Sequence, residues 1–191
     1  KIDDLISYRL NKEKFVNLKK DSIIKINKES YNIKIFENIL DGSENFALIK
    51  GNLKKSNNPR VRVISSNIIK NYLMGQKLPN SFNKTINYFK NHKDCVLVFI
   101  RDANLRSVSE VLKNYKNKNF YKKGSDKLIK NYGIGAQIIK LLGIKKMILV
   151  TSSRKTVVGL DGYGIKISHQ EIIKWTYALL LQIIIKKFQK I

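Results

Sequence analysis

Residues able to do chemistry are few in this chain and widely spaced. Cys95 is the only cysteine, and it opens the apolar run Cys95 to Ile100. That is the setting of a packed core thiol. One cysteine excludes an internal disulfide and suits a reducing, cytoplasmic compartment. His92 and His169 lie far apart with no metal-ligand spacing, and both are expected to be incidental. Gly133-x-Gly135 begins a dinucleotide-binding glycine pattern, but Ile138 stands where the third glycine belongs and no strand runs directly into it. Close packing of a helix on a sheet is the better reason for these glycines. The remaining polar candidates, Thr151, Ser152 and Ser153, come where the apolar run Met147 to Val150 ends.

The elements that must position these residues follow from periodicity. Ile134, Ile138, Leu141 and Leu142 fall on one helical face, and Gly143 follows as a C-cap. Met147 to Val150 is a buried-type strand, and Gly164 to Ser168 is another. Upstream, Ile2 to Phe15 is expected to be helical, with Asp3 and Asp4 favouring its dipole. Ser22 to Ile26, Tyr31 to Phe36 and Phe46 to Ile49 read as strands, with a turn at Asp41-Gly42. Pro59 to Ser66 alternates, placing Val61 and Val63 on one face and Arg60 and Arg62 on the other. Asn67 and Ser81 are N-cap candidates for helices to Met74 and about Lys90. Cys95 to Ile100 is a buried-type strand, Asn104 to Tyr115 an amphipathic helix, and Asn114 to Lys127 an exposed lysine-rich connection. Trp175 to Ile185 is nearly all apolar but too short to span a bilayer, so a buried or subunit-joining helix is expected. The sum is an α/β fold, a mixed sheet with helices packed on it.

The chain has 191 residues, 43% hydrophobic, which suits one domain with a real core. It opens on charged residues with no signal peptide pattern, and on Lys1 rather than Met, so a piece of a longer protein is expected. The formal charge of +24 is the strongest compositional signal. It would draw a nucleic acid or a phosphate ester. Lysine far outnumbers arginine and is spread along the chain. A biased composition rich in Lys, Asn and Ile accounts for that spread as well, so nucleic acid is not the expected partner.

Several separated blocks resemble the C-terminal part of GTP cyclohydrolase II. They are Tyr132-Gly133-Ile134-Gly135-Ala136-Gln137, Leu141-Leu142-Gly143, Thr151, Gly159-Leu160 and Gly162-Tyr163-Gly164. Leu5 to Leu10 is similar to the connector that joins 3,4-dihydroxy-2-butanone 4-phosphate synthase to a cyclohydrolase II domain in bifunctional riboflavin-synthesis proteins. The resemblance implies residues 1–20 as a linker helix from an upstream synthase, 21–170 as the cyclohydrolase II-like domain and 171–191 as an apolar C-terminal helix. The implied partners are that synthase domain or its homodimer.

The same resemblance implies zinc held by three cysteines, with water activated for attack on the GTP ring. Here the metal-ligand positions hold Asn67 and the segment Pro79-Asn80-Ser81, while Ile64 and Ser66 replace a histidine and a glutamate. Ala103-Asn104-Leu105 stands for Glu-Gly-Arg, and Leu128 and Lys130 for Asp-x-Arg. Tyr115 is the nearest counterpart of the catalytic tyrosine. Zinc and catalysis by this domain are therefore not expected, and magnesium belongs only to the synthase. Arg62, Ser65 and Thr151 keep the family's types, and Lys155 adjoins the position of its lysine. These are the candidate residual nucleotide-binding residues, with Arg62 and Thr151 equally able to serve as scaffold. An open basic pocket between Arg62, Thr151 and Leu128 would favour a phosphate or nucleotide sensor. A filled one would favour a structural or regulatory role.

Overall fold

The computed structural model describes Tyr8, residues 12–65, 81–101 and 125–154, Val157 and residues 160–173, with backbone alone for 125–132. Seven strands form one sheet in the order β1-β2-β3-β5-β4-β6-β7. The first three, β1 (Val16–Ile26), β2 (Glu29–Asn38) and β3 (Glu44–Lys50), are an antiparallel meander. Ile26 pairs with Glu29 across a two-residue turn in which Asn27 (φ 49°) and Lys28 (φ 71°) are both left-handed. That geometry matches the right-handed twist of a hairpin. The expected turn at Asp41-Gly42 is present, with Gly42 at φ 66° and Asp41 Oδ1 accepting from the Ser43 amide at 3.0 Å.

β3 pairs antiparallel with β5 (Cys95–Ile100), and from there the sheet is parallel through β4 (Arg60–Ser65), β6 (Lys146–Thr151) and β7 (Lys166–Ile172). Parallel neighbours need crossovers. Helix α1 (Ser81–Lys90) lies in the β4–β5 crossover and α2 (Ser125–Leu141) in the β5–β6 crossover. The first crossover steps to one side of β4 and the second to the other. With crossovers of one hand, that reversal puts the helices on opposite faces.

The core is accordingly double. On the α2 face, Ile134, Ile138 and Ile139 pack on Val61, Val96, Val98 and Met147. On the α1 face, Ile86 and Phe89 pack on Tyr31, Leu48, Cys95 and Leu97. Gly135 lets α2 approach closely, since a Cβ there would stand 3.3 Å from Val63 Cγ1 and Ile100 Cδ1. Gly143 ends α2 at φ 78°, as a left-handed cap requires.

Some boundaries differ from the sequence reading. β1 starts at Val16, inside the stretch 1–20 assigned to a linker, and β7 runs to Ile172, past the 170/171 boundary. Ser125 to Lys127 belong to α2 and not to an exposed connection. The helices expected at Asn67–Met74 and Asn104–Tyr115 and the tail from Trp175 lie outside the described residues. Ile2–Phe15 lies largely outside them, and Phe15 itself is not helical.

Candidate functional site

In an open sheet with parallel strands, a crevice opens at the carboxyl ends where the strand order reverses. Here that point lies beside β4, with β5 on one flank and β6 on the other. Arg62, Ser65 and Thr151 all fall near it. Ser65 is the exposed last residue of β4, and Thr151 is the buried last residue of β6. Lys155 lies outside the described residues.

The two buried candidates have opposite parity along their strands. Val61 pairs with Leu149, so Val63 stands level with Thr151, while Arg62 shares the parity of Arg60 and the face of α1. Arg62 is 5% exposed, and its Nη2 donates to Ser81 Oγ at 3.0 Å. Thr151 lies on the α2 side with Met147 and Leu149. A cavity of ≈ 70 Å³ touches both strands, lined by residues that include Arg62, Val63, Gly135, Thr151 and Leu160. That volume is far below the several hundred Å³ of a usual ligand site. Arg62 and Thr151 thus line one small cavity, from β4 and β6 respectively.

Each nevertheless carries an unusual feature. Among the described residues, Arg62 Nε and Nη1 and Thr151 Oγ1 are buried without hydrogen-bond partners. Burial lowers the pKa of Arg62. Lys84, one turn into α1, is lowered first by burial and then by the charge of Arg62. Two cations thus share the N-terminal end of α1 with Ser81.

Cys95 stands at the opposite, amino end of β5. It is 0% exposed, and burial pushes its thiol up to about 12. Among the described residues no group of three His, Cys, Asp or Glu side chains is placed to hold a metal ion. The whole chain has one cysteine, so the three-thiolate cage implied by the resemblance does not fit these residues.

Both histidines, expected to be incidental, meet a single cluster on the α1 face. Tyr88 of α1 stacks on His92 with centroids 4.2 Å apart, and its hydroxyl donates to Glu171. His169 Nε2 lies 3.3 Å from Glu171 Oε1. Arg60 grips the same carboxylate. Sequence spacing carried no signal for this set, whose members come from β4, α1, the turn after α1 and β7.

The GTP cyclohydrolase II family model matches residues 19–172. The chain belongs to the GTP cyclohydrolase II family. This cyclohydrolase II-family chain is 26% identical over 185 residues to the riboflavin biosynthesis protein RibBA of Bacillus subtilis, covering 88% of this chain and 46% of that one. It is 29% identical over 175 residues to the monofunctional riboflavin biosynthesis protein RIBA 2, chloroplastic, of Arabidopsis thaliana, covering 87% and 36%. Among solved structures it resembles RibBX, a two-domain 3,4-dihydroxy-2-butanone 4-phosphate synthase from A. baumannii. The TM-score is 0.62 and the identity 25%, over 89% of this chain and 44% of that one. The chain thus spans less than half the length of these relatives. No helix among the described residues is long and apolar enough to cross a membrane.

Proposed function

We propose that this is a catalytically degenerate cyclohydrolase II domain of a riboflavin-synthesis protein, with a structural or regulatory role beside a 3,4-dihydroxy-2-butanone 4-phosphate synthase domain. The observation that carries the reading is the thiolate count. The one cysteine is buried at the wrong end of the sheet, with a thiol that stays protonated at neutral pH. Without a thiolate cage, water in this domain lacks the cation that would lower its pKa. The small volume of the cavity between β4 and β6, ≈ 70 Å³, supports the same reading. The two-domain synthase among its structural neighbours supports the partner.

The deciding experiment is formate release from GTP by the purified chain, with zinc content measured alongside. The expected result is no turnover and no stoichiometric zinc. Turnover dependent on bound zinc overturns the proposal.

A second reading is favoured by the unpartnered N–H groups of Arg62. In it, the domain senses a phosphate-bearing ligand through Arg62, with Thr151 in the shared cavity, Lys155 further along the chain, and Ser81 and Lys84 at the start of α1. Calorimetry with GTP and pyrophosphate tests it, and loss of binding in Arg62→Met is its signature.

A further inference from the structure

β1 is an edge strand, paired on one side with β2. Among the described residues no strand pairs with its other side. Such an edge offers unpaired backbone groups on which a further strand can add. The pairing with β2 is interrupted by a bulge between the Leu18–Phe36 and Lys20–Ile35 pairs. From Lys20 to Ile26 the register is unbroken, and the Asn27-Lys28 turn closes that stretch. Its midpoint is Ile23.

Ile23 is 72% exposed, more than any other large hydrophobic side chain among the described residues. One exposed isoleucine needs no explanation by itself. Its neighbours supply one. The pleat sets Asp21, Ile23 and Lys25 on one face, all three exposed. Asp21 also accepts from Lys34, its partner on β2. An apolar centre is thus flanked by a negative charge on one side and a positive charge on the other.

That arrangement is complementary to itself. Two copies laid antiparallel about a two-fold at Ile23 bring the two isoleucines together. Asp21 of each copy then stands opposite Lys25 of the other. Opposite charges facing across antiparallel strands are favourable, and like charges are not. Lys20 faces Ile26, where its stem can cover the apolar side chain. Moving the two-fold to Ser22 sets Asp21 against Ile23, and moving it to Ile24 sets Lys25 against Ile23. Parallel pairing in register sets Asp21 on Asp21 and Lys25 on Lys25. The other edge strand has no such match: a two-fold at His169, the midpoint of β7, sets Glu171 against Ile167.

We propose that β1 is a homodimerisation strand, joining the sheets of two copies of this chain antiparallel through Lys20 to Ile26. The interface is isologous, as a two-fold requires. It is one strand wide, so its affinity is modest, with a dissociation constant on the order of 10 μM.

The test is sedimentation equilibrium of the purified chain from about 1 to about 200 μM. The expected result is a monomer–dimer equilibrium. Ile23→Asp sets two carboxylates face to face and weakens it about tenfold or more. Asp21→Lys and Lys25→Asp each weaken it alone, yet the two variants mixed associate at least as well as wild type. Diffuse attraction or a dimer through another face would not show that restoration. Cross-linking checks the register without relying on charge. Cys95 is fully buried, so Ile23→Cys supplies the reactive thiol. A short bismaleimide should then give a covalent dimer, and Asn17→Cys, far from the two-fold, should not. A monomer throughout the concentration range overturns the proposal and leaves the edge to a different occupant. A dimer that Ile23→Asp does not weaken overturns it too, as does failure of Ile23→Cys to cross-link.

Discussion

Arg60 holds Glu171 through two parallel contacts, Nε to Oε2 and Nη2 to Oε1, each 3.1 Å. The pair bridges β4 and β7 across the intervening β6, and the Tyr88 hydroxyl from α1 joins the same carboxylate. A planar guanidinium suits this fork and a lysine does not. The cluster ties an edge strand to the centre of the sheet and to the helix over it.

Burial opposes ionisation of Glu171, but hydrogen bonds from Tyr88 and Arg60 outweigh it and hold the carboxyl below its usual range. A depressed carboxyl adds stability above its unfolded pKa and loses it as pH falls through the folded one. The unfolding free energy in urea is therefore expected to decline as pH is lowered from about 5 to about 3. In Glu171→Gln that share of the decline disappears. At neutral pH Glu171→Ala is expected to cost about 2 kcal/mol, and hydrogen exchange should show β7 opening first.

The Cys95 thiol is expected to be inert. Native protein at pH 8 should not react with a thiol reagent, and unfolded protein should react at once. Cys95→Ala removes a sulfur packed with Phe89 and Leu97 and should lower stability by about 1–2 kcal/mol in urea denaturation.

Two glycines of the family motifs should fail for different reasons. In Gly135→Ala the new methyl meets Val63 and Ile100, so α2 must shift. The expected loss is about 1–3 kcal/mol from overpacking, offset in part by helix propensity. In Gly143→Ala nothing lies within 4 Å of the new carbon, but φ is 78°. The expected loss is about 1 kcal/mol, from the left-handed backbone alone. Melting temperatures of the two variants separate the effects, because a compensating Val63→Ala should rescue only Gly135→Ala.

Arg62→Met separates the two functional readings. It removes two buried donors that lack partners. Replacing buried charge by a similar apolar volume is often neutral or stabilising. If the domain is structural, stability should stay within about 1 kcal/mol or rise. A fall of several kcal/mol would show that the guanidinium is paired in solution.

The amino-acid sequence by itself determined the local elements. Ser81–Lys90 and Cys95–Ile100 have the spans that capping and apolar runs predicted, and Gly143 caps α2 as its place after Leu142 required. Those features depend on neighbours a few residues apart, so a linear reading captures them. It also showed that one cysteine cannot supply the three thiolates the resemblance implies, because a count needs no geometry. The tertiary structure alone decided which strand lies beside which. Alternation along β4 puts Arg60 and Arg62 on one face, but it does not say that α1 covers that face. Nor does it say that Glu171, 111 residues away, closes on Arg60. The same holds for Thr151, which comes to line one cavity with Arg62 only once β6 takes its register beside β4. Long-range pairing is set by crossover direction and register, which no short stretch of sequence encodes.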